Sequence, residues 1–168
     1  MRVSGIGVRI ADHVMMKGTL GYGISGWVRG RCSVDKYRVV VIDDRSESVV
    51  IVRRLLERAG VAHDQVLWSK DGYDLGGFEA GLDGVELVLL DISLSSAADG
   101  YEVLEKVRGK TWGSRAKIVA VTGHVSPEDV RRARDAGFDG FLGKPLDVKR
   151  FPDQFRRLMS GEAVWEGG

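Results

Sequence analysis

Cysteine is almost absent from this chain. Cys32 stands alone in 168 residues, which excludes an intramolecular disulfide and any metal cluster assembled from several thiolates of one chain. A reducing, cytoplasmic setting fits that usage. Excess charge is also lacking. With 25 basic and 24 acidic residues the net charge is +1, so no whole-molecule field favours direct nucleic-acid binding or adsorption to an anionic membrane. Long apolar runs are missing where a targeting or membrane-inserting segment would need one, because Arg9, Asp12 and Lys17 interrupt the region in which its centre would lie. Residues 1–36 therefore read as a flexible or irregular leader. The letters Gly21, Gly23 and Gly26 match a dinucleotide fingerprint, but no strand precedes them and no helix follows.

From Tyr37 the texture changes to apolar runs alternating with amphipathic segments. Arg38–Ile42 is a β-branched run that reads as a buried strand, and residues 45–59 place Val49, Val52, Leu55, Leu56 and Ala59 on one helical stripe that ends at Gly60. The alternation repeats. Strands are expected at Gln65–Trp68, Val85–Leu90, Ile118–Val121 and Gly140–Gly143. A second helix within Ser69–Gly84 should be short or mobile, since glycine and carboxylates dilute its propensity. Helices are also expected at Gly100–Val107, from Ser126-Pro127 to Ala136, and around Phe151, Phe155, Leu158 and Met159 with Pro152 near the start. Strands alternating with helices imply right-handed crossovers and a parallel sheet covered on both faces. The expected organisation is a leader over 1–36, one domain over 37–160 and a tail over 161–168.

In such a sheet the carboxyl ends of the strands gather ligands. The first strand ends in Asp43-Asp44, the third in Asp91, the fourth in Thr122, and the fifth runs into Lys144-Pro145. Clustered carboxylates repel unless a cation compensates, and oxygen donors suit Mg²⁺. An aspartate held beside Mg²⁺ can attack phosphorus, with a hydroxyl and an ammonium to receive the added oxygens. Any one of these residues could be an ordinary cap or loop polar group; the set is a phosphoryl-transfer site.

The segments Val39–Asp44, Leu89-Leu90-Asp91, Ala120–Gly123 and Gly143-Lys144-Pro145 resemble, in order and spacing, the signature of the response-regulator receiver domain, the CheY-like superfamily. The resemblance covers about residues 37–160. It implies a doubly wound flavodoxin-like fold with five strands in the order 2-1-3-4-5. It further implies that Asp91 is the phosphoacceptor, that Asp44 and Asp91 with the Ser93 backbone carbonyl hold Mg²⁺ assisted by Asp43, and that Lys144 contacts the phosphoryl group before a cis Pro145. Thr122 and Phe141 would form the switch pair, Phe141 turning inward on phosphorylation, unless Phe141 is simply a core aromatic and Thr122 a strand-end hydroxyl that satisfies a turn. Ser93 and His124 would tune dephosphorylation. A sensor histidine kinase or phosphotransfer protein would be the donor. A downstream protein would dock on the face made by the fourth helix, fifth strand and fifth helix, with homodimerisation an alternative output. Such a chain assists its own phosphorylation and dephosphorylation without being an enzyme toward other substrates.

The segments Arg150–Leu158 and Val164–Glu166 are also similar to stand-alone, DivK-like receivers. One departure stands out: Leu94–Ala98 makes the loop before Asp99-Gly100 one residue longer than usual and lacks its proline. Two rivals remain. A haloacid-dehalogenase-type phosphatase would need a second aspartate where Ser93 stands, and a receiver-shaped adaptor would ignore phosphorylation. Arg131, Arg132, Arg134, Lys149, Arg150, Arg156 and Arg157 form either a partner face or a solvated surface, and Trp165 either packs back or anchors a partner.

Overall fold

The computed structural model describes residues 37–75, 82–95 and 99–167, so the expected leader over 1–36 and the centre of the expected second helix lie outside the described residues. The described chain runs β1 (Arg38–Ile42), α1 (Ser46–Ala59), β2 (Val66–Ser69), β3 (Val85–Asp91), α2 (Gly100–Arg108), β4 (Lys117–Thr122), α3 (Pro127–Asp135), β5 (Gly140–Gly143), α4 (Phe151–Met159) and β6 (Trp165–Glu166). All strand pairings are parallel, in the order β2-β1-β3-β4-β5-β6. The expected core order is present, and one expectation needs correction: among the described residues the sheet has six strands, not five. Gly161, at φ +98°, turns the chain after α4 so that Val164–Glu166 returns along β5.

Alternation along each strand divides the core into two layers. Val39 and Val41 of β1, Leu87 and Leu89 of β3, and Val119 and Val121 of β4 face α1 and α4, meeting Val52, Leu56, Phe151, Phe155 and Leu158. Val40, Ile42, Val88, Leu90, Ile118 and Ala120 point the other way, with Val103, Leu104 and Val107 of α2 and with Phe141. Each such aliphatic side chain contributes about 1.5–3 kcal/mol through burial. This two-sided apolar clamp fixes strand register, because a one-residue slip would exchange the layers.

Local signals set the helix ends. Gly60, at φ 99°, closes α1 with its amide directed at the carbonyls of Leu56 and Glu57. At α3, Ser126 and Asp129 form a reciprocal capping box ahead of Pro127, and the hydrogen bonds from Ser126 hold the Asp129 carboxyl below its ordinary range. Asp99 caps α2 by accepting from the Tyr101 amide.

Gly100 is required for a different reason, close approach. A Cβ there would lie 2.5 Å from the Ile92 Cα and 2.8 Å from the Asp91 carbonyl oxygen. Gly100→Ala should therefore push α2 away from the end of β3 and cost about 1–3 kcal/mol, the usual range for overpacking. Urea unfolding checks this; an unchanged midpoint would mean that the loop yields freely.

Candidate functional site

The strand ladder determines which residues share an edge. Ile42 pairs with Leu90, so Asp43 follows β1 level with Asp91 at the end of β3. Asp91 pairs with Val121, and Thr122 with Gly143, so Thr122 and Lys144 reach the same edge one position further on. The register thus brings Asp43, Asp44, Asp91, Thr122 and Lys144 together from positions far apart in sequence.

Lys144 is the hub. Its Nζ donates to Asp43 Oδ2 at 2.8 Å and to Asp91 Oδ2 at 2.7 Å. Both carboxylates are buried, at 2% and 3% exposure, so neither has bulk water to stabilise its charge. Backbone amides supply the remainder: Arg45 donates to Asp43 Oδ1 at 2.9 Å, and Ser93 to Asp91 Oδ1 at 2.8 Å. The Lys144-Pro145 peptide is cis.

Asp44 is held differently. Its Oδ2 accepts from the Ser95 amide at 2.7 Å. A hydrogen bond from the Ser95 side chain, opposed in part by burial and reinforced by the backbone, keeps its carboxyl below the usual range. Its Oδ1 is buried without a protein partner. Asp43, Asp44 and Asp91 each offer an oxygen within 4.8 Å of the others. Three carboxylates against one ammonium leave two negative charges uncompensated, and an orphaned oxygen lies among hard donors. That donor set fits a divalent cation of the Mg²⁺ type.

Thr122 is buried at 1% exposure, with its Oγ1 3.2 Å from Ser93 Oγ and accepting from the His124 amide. Ser93 Oγ also lies 3.1 Å from His124 Nδ1. The structure therefore joins Ser93, Thr122 and His124 in one hydroxyl–imidazole chain beside Asp91. Phe141 lies apart from this cluster, wholly buried in the layer shared with Ala120. The ring is inward, and β6 runs alongside it, pairing Trp165 with Phe141.

Two contacts escaped sequence reasoning. Trp68 Nε1 donates to the Asp43 carbonyl oxygen at 2.9 Å, fixing the chain at the end of β1, and Ser95 anchors the altered loop to Asp44. Neither has a motif, since both depend on where a loop folds. Beside Lys144 runs a groove of about 440 Å³ between α1 and the turn after β5, lined by Arg45, Ser48, Ile51, Val52, Pro145 and Leu146. Ile51 and its neighbour Val50 are more than half exposed on α1. Among the described residues no helix is long and apolar enough to cross a membrane.

Comparison with known proteins follows the same outline. The chain is 31% identical over 112 residues to hybrid signal transduction histidine kinase L of Dictyostelium discoideum, covering 65% of this chain and 6% of that protein. It is 27% identical over 141 residues to the probable methanogenesis regulatory protein FilR2 of Methanothrix harundinacea, covering 76% of this chain and 86% of that protein. The chain thus spans most of one curated relative and a small part of the other.

Among solved structures, the Vibrio cholerae chemotaxis response regulator CheY4 superposes with a TM-score of 0.62 at 22% identity, over 73% of this chain and 98% of that one. The receiver domain of sensor histidine kinase PA1611 from Pseudomonas aeruginosa, solved with magnesium coordinated in its active-site cleft, gives 0.60 at 20% identity over 74% and 98%. These two likenesses bear on the fold. The response regulator receiver domain model matches residues 39–156, most of the chain. The protein belongs to the response-regulator receiver family and is homologous to proteins of two-component signalling.

Proposed function

We propose that this chain is a response-regulator receiver that accepts a phosphoryl group on Asp91, with Mg²⁺, from a phosphohistidine of a sensor histidine kinase or phosphotransfer protein. The observation that carries the reading is the setting of Asp91: a buried carboxylate bridged by Lys144 to Asp43, beside an Asp44 oxygen with no protein partner. Asp44 and Asp91 would hold the ion with the Ser93 carbonyl, assisted by Asp43. When bound, Mg²⁺ supplies the positive charge that lets the carboxylates and phosphoryl oxygens share one site. The magnesium in the PA1611 receiver cleft supports that assignment by analogy.

In the transfer an Asp91 oxygen attacks phosphorus, the P–N bond to imidazole breaks, and the histidine nitrogen leaves with its electron pair. Lys144, already on Asp91, neutralises a phosphoryl oxygen. Thr122 exchanges its Ser93 partner for another. Ser93 and His124 stand beside the acceptor and would set how readily water reaches it. The signal would leave through the face of α3, β5 and α4, the expected fourth helix, fifth strand and fifth helix, with β6 along its β5 margin, toward a downstream protein or a second copy. We place this exchange in the cytoplasm.

Incubation with acetyl phosphate and Mg²⁺ should add one phosphoryl group by intact mass, and Asp91→Asn should abolish the addition. A binding assay with the Asp91→Asn chain separates the rival adaptor: partner binding equal to that of phosphodonor-treated protein would favour it.

The groove beside Lys144 suits the protein that presents the phosphohistidine, because exposed Ile51 lines it together with Lys144, whose ammonium holds Asp91. Ile51→Asp should slow transfer from a phosphorylated donor protein by about tenfold or more, since desolvating an aspartate replaces burial of an isoleucine. Transfer from acetyl phosphate should be unaffected. An equal loss with both donors would mean that the substitution damages the site and not the docking.

A further inference from the structure

The C-terminal strand meets the switch residue directly. The Phe141 amide donates to the Val164 carbonyl at 2.7 Å, and Trp165 packs against the buried cluster containing the Phe141 ring. The Trp165 indole in turn lies beneath the Arg134 guanidinium, 4.5 Å from the ring centroid, which ties α3 to β6.

A strand of two residues has too few ladder bonds to stay in place unaided. Glu166 supplies the missing hold. It accepts from Arg157 Nη1 at 2.8 Å, Gln154 Nε2 at 2.7 Å and Arg150 Nη2 at 2.5 Å. The hydrogen bond from Gln154, with that from Arg157 and the positive charges of Arg150 and Arg157, keeps its carboxyl below the ordinary range despite burial. Without β6, the Gly-Phe-Leu-Gly sequence of β5 would present an apolar edge with no charge or proline of its own to guard it.

Phe141 is fully inward, and Thr122 rests against Ser93. We infer that β6 is an intramolecular lock on the switch, holding Phe141 inward. The inference rests on the reading of Asp91 as acceptor and adds a regulatory element to it. If phosphorylation also favours the inward ring, linkage makes the coupling mutual: a seated β6 favours the phosphorylated form, and phosphorylation tightens β6. A partner that drew residues 164–166 off β5 would shorten the phosphorylated state. The Glu166 pairs are partly solvated, so each is weak and the lock can open without unfolding the domain.

Hydrogen exchange followed by mass spectrometry on the full chain tests this, with β4 as internal reference. In Glu166→Arg, which sets like charges against Arg150 and Arg157, exchange at Phe141 and residues 164–166 should be about tenfold faster, with β4 unchanged. Adding Arg150→Glu should restore part of the protection. After acetyl phosphate and Mg²⁺, wild-type exchange at the same positions should slow, and Glu166→Arg should retain its phosphoryl group for a shorter time. Unchanged exchange in Glu166→Arg, or faster exchange with the wild-type phosphoryl lifetime, would overturn the lock. If the wild-type chain takes up no phosphoryl group, the functional reading fails and with it the coupling; the exchange comparison then decides whether β6 holds Phe141.

Discussion

Lys144→Met should lower stability by about 3–5 kcal/mol when divalent cations are chelated, the cost typical of leaving a buried ion pair with one partner missing. Methionine keeps most of the length of the stem and removes the charge. Lys144 is only 14% exposed, and the two side chains it serves, those of Asp43 and Asp91, are 4% and 2% exposed. Their charges would then face each other and Asp44 without compensation, a like-charge cluster in a poorly solvated pocket. The loss should shrink when Mg²⁺ is added, because an ion bound by the folded state alone stabilises it by mass action. Phosphoryl transfer should fail in either condition. Urea unfolding with EDTA and with Mg²⁺, beside the mass assay, measures all three effects. A variant as stable as wild type in EDTA would show that Lys144 does not offset the carboxylate charge.

Phe141→Ala should cost about 3–5 kcal/mol, the range for removing a buried aromatic from a packed core. Phe141 is the largest side chain at 0% exposure, and its loss empties the space enclosed by Ala120 and covered by Trp165. The cost should lie near the upper end, since β5 and β6 flank the cavity and constrain its collapse. Thermal or urea unfolding reads it. A loss below about 1 kcal/mol would mean that Trp165 moves in to fill the space, and that the ring is not what β6 encloses.

The sheet was legible because its strands are short apolar runs whose alternation serves two core layers, as Val39 and Val41 against Val40 and Ile42 demonstrate. The acidic, hydroxyl and ammonium groups were legible as a set because parallel register converts strand ends into one edge, whatever the distance in sequence. β6 was not legible. Val164-Trp165-Glu166 is too short for a period, and its seat depends on Arg150, Gln154 and Arg157 meeting Glu166 across a turn. Ser95 on Asp44 and Trp68 on the Asp43 carbonyl are equally silent in sequence, because each depends on where a chain segment returns in space.

On the proposed function Asp91, and not either member of the acidic pair after β1, carries the phosphoryl group. Borohydride reduces an aspartyl phosphate to homoserine, so reduction after incubation with acetyl phosphate and Mg²⁺, followed by peptide mass mapping, locates the acyl phosphate directly. Homoserine is expected at position 91 only, and only when both donor and Mg²⁺ are present. Homoserine at position 43 or 44, or unmodified aspartate at 91 in a folded protein that has gained a phosphoryl group, would contradict it.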